Sequence, residues 1–160
     1  MRGMAEKRVK SDSTPQRNAE AKAIRRIERQ FSIELERNYR IDVGEGRVHV
    51  DGFNKGAKRV TLVEVNAHVG KMKPAQRDKV LKDALKMFIV SRKRPADWHG
   101  KDVRRVLVFV DQEALSSFGP NSWGRTAFAA LHTETVVSKC TRAERRRLQN
   151  AQIGQDIRNA

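Results

Sequence analysis

The first part of the chain carries apolar residues at helical spacing. They recur every three or four positions and form one apolar stripe, which consists of Ile24, Ile27, Phe31 and Leu35. This period predicts a helix that begins near Pro15, with Ser13 or Thr14 as its N-cap.

Three short strands are predicted after this helix, because the pattern changes to alternation and glycine-containing turns interrupt it. The strands cover residues 39–43, 47–52 and 59–69, and the turns are GEG and NKGAK. Consecutive strands that are joined by short turns pair with each other. The pattern therefore predicts an antiparallel three-strand meander.

The second half of the chain alternates helices with apolar strands. The predicted elements are a helix over residues 74–93, a strand over 104–111, a short helix over 112–118, a helix over 122–132, a strand over 135–139 and a C-terminal helix after Thr141. The unbroken apolar run at 104–111 is typical of a strand covered on both faces. A meander followed by helical crossovers predicts an α/β fold, in which a mixed β-sheet is flanked by helices.

The length of 160 residues indicates one domain, which we place at residues 14–140. Residues 1–13 are basic and lack periodicity, so we expect a disordered arm there. Residues 141–160 are expected to form a basic C-terminal helix or tail.

The charge of the chain favours a polyanionic partner. Lys and Arg total 34 against 19 Asp and Glu, which gives a formal net charge of +15. Release of counterions from a phosphate backbone is the usual source of affinity for such a protein. We expect nucleic acid as partner, with DNA favoured over RNA. A solvated basic surface, a ribosome-associated role and an acidic protein partner are the alternatives.

A membrane partner is not expected, because no basic segment also carries a broad apolar face with interfacial aromatics. The sequence has neither a long apolar run nor a signal-peptide pattern. Its single cysteine, Cys140, cannot form an internal disulfide. We therefore expect a cytoplasmic protein.

Polar side chains interrupt the third predicted strand. Alternation places Glu64, Asn66 and His68 on one face, and Asp51 ends the neighbouring strand. Two buried carboxylates repel each other unless a cation lies between them, and oxygen ligands suit Mg²⁺ or Mn²⁺. The alternatives are that Asp51 is a turn residue before Gly52, and that Glu64 forms a core ion pair with a helix arginine.

Further candidates come from the first helix and from the loop after the third strand. Glu28 lies about 40° from Ile24 on a helical projection, so it faces the sheet, as a third metal ligand or as the partner of a core arginine. Lys71 and Lys73 are placed to swing toward Glu64, although an ordinary solvated basic turn is the alternative.

One histidine and two tryptophans fit more than one interpretation. His68 has no second His or Cys at ligand spacing, so a structural histidine is favoured and zinc is not expected. Trp98 and Trp123 are able to stack on bases, but packing in a core or an interface is favoured.

These residues together resemble the restriction-endonuclease-like PD-(D/E)xK nucleases over residues 15–139, in the order of the elements and in a short motif. The resemblance implies an αβββαβ core in which Asp51 and Glu64 bind Mg²⁺ or Mn²⁺. It also implies that Glu28 corresponds to the helix-borne glutamate of many members.

The sequence departs from the family's acid-x-lysine triplet. Residues 64–66 read EVN, so the amide of Asn66 occupies the lysine position. An amide is able to orient water but supplies no positive charge for the transition state. In some members the lysine lies on a neighbouring element, and Lys73 or Lys71 is expected to replace it here. Gln76 resembles a helix-borne glutamine of some relatives.

The resemblance implies a metal-dependent DNA endonuclease-like protein that acts on or binds the phosphate backbone. The expected catalytic residues are Asp51, Glu64, Asn66, Lys73 and Lys71. The expected nucleic-acid-binding residues are Gln76, Arg77, Lys79, Arg92, Lys93 and Arg94. The alternatives are a non-catalytic nucleic-acid-binding protein on the same fold, and a basic α/β protein that binds RNA or another protein. A homodimer is compatible with the resemblance, because many related nucleases dimerise.

Overall fold

A computed structural model describes residues 13–158, and the predicted arm lies outside the described residues apart from Ser13. The elements in chain order are α1 (Thr14–Phe31), β1 (Glu36–Val43), β2 (Gly46–Lys55), β3 (Arg59–Asn66), α2 (Pro74–Lys93), a 3₁₀ turn (Ala96–Trp98), β4 (Asp102–Phe109), α3 (Gln112–Ser116), α4 (Trp123–Ala130), β5 (Thr133–Val137) and α5 (Arg142–Arg158).

The strands form one five-stranded sheet in the order β1-β2-β3-β4-β5. β1, β2 and β3 pair antiparallel as the predicted meander, whereas β4 and β5 each join in parallel through helical crossovers. This arrangement confirms the predicted mixed sheet flanked by helices. No helix among residues 13–158 is long and apolar enough to cross a membrane.

Each face of the sheet has its own apolar core. On one face, buried residues of α2, α3 and α4 pack against β2, β3 and β4, with Leu62, Met87 and Phe109 among the most buried. On the other face, α1 and α5 pack on β3 and β4 around Ile27 and Leu148. The central strands are therefore covered on both sides, which explains their unbroken apolar runs.

The first helix is shorter than its apolar stripe predicted. α1 ends at Phe31, because Ser32 adopts a left-handed conformation with φ 53° and caps the helix. Leu35 is buried beyond the helix, where its N–H donates to Glu28 Oε1 at 2.9 Å. A buried leucine at helical spacing does not therefore require a continuous helix.

The third strand also ends earlier than predicted, at Asn66 and not at Val69. The peptide groups of Val69 are satisfied by a side chain of α5: the Val69 N–H donates to Gln152 Oε1 at 2.9 Å, and Gln152 Nε2 donates to the Val69 carbonyl at 3.0 Å. The chain leaves the sheet at Asn66, and the following loop is held by α5.

The β2–β3 ladder opens at Asp51. The last paired residues are Gly52 and Val63, and beyond them the Val65 N–H donates to Asp51 Oδ2 at 2.8 Å. A carboxylate thus accepts where a strand carbonyl would otherwise do so, and the two strands separate at this point. This separation places Asp51 beside the end of β3.

Candidate functional site

A cleft opens beyond the end of β3, between α1, α2 and the last turns of α5. Its volume is about 300 Å³. The polar side chains that line it include Glu20, Asn66, His68, Lys71, Gln76 and Lys79. The carboxylates of Asp51 and Glu64 lie at the same end of the sheet, although neither side chain lines the cleft.

Glu64 is a buried carboxylate, with 6% of its surface exposed. The β2–β3 register places it opposite Asp51, since Gly52 pairs with Val63. Burial, followed by the negative charge of Asp51, raises the pKa of Glu64 from 4.5 to about 8. The two acids are therefore neighbours in a poorly solvated position.

Lys86, on α2, is the cation that faces Glu64. Its Nζ lies 2.5 Å from Glu64 Oε1 and 3.5 Å from Asp83 Oδ1. Burial lowers the pKa of the Lys86 ammonium, but the charges of Glu64, Asp83 and Asp51 outweigh burial and raise it. A lysine of α2 thus pairs with Glu64 and also feels the negative charge of Asp51.

This pairing corrects two expectations. The core ion pair of Glu64 forms with a helix lysine and not with an arginine. Lys73, expected to reach Glu64, instead pairs with Asp156 at 2.9 Å, and Lys71 lines the cleft without an ion pair among the described residues. Lys73 is the N-cap of α2, whose direction carries Lys86 back over the sheet.

The helix carboxylate near the site is Glu20, where Glu28 was expected. Burial and then the charge of Asp51 raise the pKa of Glu20, and Lys79 opposes this shift. Glu28 lies eight residues further along α1, about 12 Å away. Its Oε2 instead accepts from Arg37 at 2.9 Å, which turns it away from the cleft.

Asn66 and His68 form the floor of the cleft at the end of β3. Asn66 Oδ1 accepts from the His68 N–H at 3.2 Å, and His68 Nε2 lies 3.3 Å from the Lys71 carbonyl oxygen. Burial lowers the pKa of His68 and favours a neutral imidazole. This is the structural arrangement that the sequence favoured for His68, but its ring still lines the cleft.

The expected nucleic-acid-binding residues do not form one surface. Gln76 and Lys79 line the cleft, whereas Arg92 and Lys93 are exposed at the other end of α2, about 24 Å from Gln76. Arg94 has a structural contact, because its guanidinium donates to the carbonyls of Ser91 and Lys101. Arg77 lines a separate hollow on the other side of α2.

Asp51 and Glu64 supply donors that fit a hard divalent cation. Apart from the Lys86 ion pair, the buried Glu64 Oε1 accepts no hydrogen bond from the described residues. No group of three or more His, Cys, Asp or Glu side chains within residues 13–158 is arranged to hold a metal. A cation at Glu64 would therefore compete with Lys86 for the same oxygen.

Sequence reasoning missed Lys86 and Glu20, although each had a signal. Lys86 belongs to a polar stripe on α2 with Lys79 and Asp83, at spacings of four and three residues. Glu20 lies four residues before Ile24, so it is as close to the apolar stripe of α1 as Glu28 is.

Comparisons of the chain with protein-family models, curated proteins and solved structures find no match.

Proposed function

We propose that the chain is a metal-dependent phosphodiesterase that acts on DNA. The observation that supports this most is the meeting of Asp51, Glu64 and Lys86 beside an open cleft. These are two acids and a lysine, the combination that the resembled nucleases carry on two strands. Here the lysine would come from α2, and Asn66 keeps its strand position at the floor of the cleft.

The arrangement of the elements supports the finer fold proposal, a restriction-endonuclease-like core. A helix precedes an antiparallel meander, and α2 then crosses to a parallel, fully covered strand, β4. The carboxylates lie where β2 and β3 separate, with Asp51 within β2 and not at its end, where the sequence had placed it.

The residues of the chain divide the work as follows. Asp51 and Glu64 would hold Mg²⁺ or Mn²⁺ through carboxylate oxygens, and the bound cation supplies polarisation of the scissile phosphate and acidification of water. Lys86 offsets the negative charge around Glu64. Asn66 orients a polar group at the floor of the cleft, while Lys71 and Lys79 attract the phosphate backbone.

Cleavage of circular plasmid DNA with Mg²⁺ or Mn²⁺ tests the proposal. The wild type is expected to cut, EDTA to stop it, and Glu64→Gln or Lys86→Met to slow it by about a hundredfold or more. Glu134→Gln is the matched control, because Glu134 pairs with Arg104 away from the cleft, at 2.8 Å. An uncut plasmid, or an undiminished rate in Glu64→Gln, would refute the enzyme.

A second candidate is a non-catalytic nucleic-acid-binding protein. It is favoured by Asn66 at the family's lysine position and by the Glu64–Lys86 ion pair, which compensates the buried acid without a metal. In that case the wild type binds DNA, fails to cut it under every divalent cation, and loses affinity steeply as salt increases.

A further inference from the structure

The two tryptophans of the chain have opposite surroundings. Trp98 is 2% exposed and stacks near Phe53, with ring centroids 5.7 Å apart. Trp123, the first residue of α4, is 73% exposed. Trp98 therefore has the packing role that its sequence context favoured, whereas Trp123 presents most of its indole to solvent.

Trp123 borders a hollow of about 240 Å³ between α2 and α4. Leu81 and Phe118 give the hollow apolar walls, while Arg77 and Ser122 add polar groups to its lining. Arg77 forms no ion pair with any residue from 13 to 158, although the carboxylate of Asp78 also lines the hollow. An aromatic ring, apolar walls and a cation therefore share one small site.

The hollow lies on the opposite side of the first turn of α2 from the candidate cleft. Lys73 and Gln76 line the cleft, and the residues that directly follow each of them, Pro74 and Arg77, line the hollow. A strand that left the cleft would cross the first turn of α2, about 10 Å wide with its side chains, to reach Trp123.

We propose that this hollow binds an unpaired nucleobase of single-stranded nucleic acid. Trp123 stacks on the base, and Arg77 contacts the adjacent phosphate. The net charge of +15 favours a polyanion over an apolar protein surface as the occupant, and Arg77 supplies a cation in the lining beside Asp78. The inference rests on the proposed function, because it assigns the cleft to the same strand.

Binding of a labelled oligothymidylate in EDTA tests this site without any catalysis. Trp123→Ala is expected to bind it about tenfold more weakly than the wild type, Trp123→Phe by a smaller factor, and a blunt duplex equally in all three. In the wild type the oligonucleotide should quench the exposed Trp123. The emission of buried Trp98 reports that Trp123→Ala remains folded.

The matched control is the double substitution Leu85→Ser and Ile89→Ser, at exposed apolar positions on α2 outside the hollow. It should leave oligothymidylate binding unchanged. Unaltered binding by Trp123→Ala, or an equal loss on the blunt duplex, would overturn the inference. So would a Trp123→Ala variant whose only change is the loss of self-association, since the hollow would then be a protein interface.

The binding assay and the cleavage assay fail separately. A protein that never cuts DNA but loses oligothymidylate affinity in Trp123→Ala refutes the nuclease and keeps the base site. A protein that cuts DNA but binds oligothymidylate equally well with and without Trp123 keeps the nuclease and refutes the base site.

Discussion

The pKa of Glu64 depends on two charged neighbours of opposite sign, the Asp51 carboxylate and the Lys86 ammonium. Burial and Asp51 raise its pKa, while Lys86 opposes that shift without cancelling it. With the pKa raised to about 8, protonation of this carboxyl competes at neutral pH with its ion pair to Lys86. A divalent cation favours the ionised form, so its binding should expel this proton.

The raised pKa makes stability depend on pH. A proton bound more tightly in the folded state stabilises below about pH 4.5, and this contribution is lost as the pH rises through about 8. We expect the free energy of unfolding of the wild type to fall relative to Glu64→Gln by a few kcal/mol across that range. Urea unfolding at several pH values measures it, and a constant difference would contradict the burial of a titrating acid.

The two inward glutamates of α1 should separate metal binding from stability. Glu20→Gln is expected to weaken Mn²⁺ binding by about tenfold, because Glu20 lies near Asp51. Glu28→Gln should leave Mn²⁺ binding unchanged and cost about 1 kcal/mol, since it weakens the contacts to Leu35 and Arg37. Mn²⁺ titration and urea unfolding of both variants test this prediction. Weaker Mn²⁺ binding in Glu28→Gln, with unchanged binding in Glu20→Gln, would instead place Glu28 in the site.

At the scale of elements, the packing of α1 on β2 determines where the carboxylates lie. Gly52 directly follows Asp51, and a Cβ there would lie 3.1 Å from Ile24 Cδ1 and 3.3 Å from Leu35 Cδ1. The missing side chain therefore lets α1 approach the sheet closely at the point where β2 and β3 separate. Asp51 and Gly52 both lie within β2, and Gly52 is the residue that α1 approaches. Asp51 is therefore not the turn residue that the sequence offered as an alternative.

Gly52→Ala tests this contact. The added methyl group should overpack the interface of α1 and β2 and lower stability by about 1–3 kcal/mol in urea unfolding. Gly154→Ala, in α5, is the control, because a Cβ there meets nothing within 4 Å and alanine favours a helix. A Gly52→Ala protein as stable as the wild type would show that α1 is not held close to β2.

The sequence predicted the elements better than the partners of their side chains. Alternation and turn residues were sufficient to bring Asp51 beside Glu64, because the pairing of a meander follows from chain order. The partner Lys86 depends on how far α2 is rotated over the sheet, which packing of Val80, Ala84 and Met87 determines. The spacing of apolar residues along α2 does not by itself determine that rotation.

At the scale of the whole molecule, the exposed positive charge is not spread evenly along the chain. Arg94, Lys101 and Arg105 donate to backbone carbonyls and serve the fold. Exposed arginines without ion pairs among the described residues gather instead on α1 and α5, which Glu144 joins by pairing with Lys22. They are Arg17, Arg25, Arg29, Arg142, Arg146 and Arg147. These two helices also wall the cleft, through Gln16 and Glu20 of α1 and the last turns of α5, whereas Arg142, Arg146 and Arg147 lie in the first turns of α5.

Calorimetric titration of Mn²⁺ at pH 7, in two buffers of different ionisation enthalpy, tests the metal site most directly. The wild type should bind Mn²⁺ and release protons from Glu64, so that the apparent enthalpy changes with the buffer. Asp51→Asn should lose most of this affinity. No binding by the wild type, binding without proton release, or undiminished binding by Asp51→Asn would contradict a metal site built on Asp51 and Glu64.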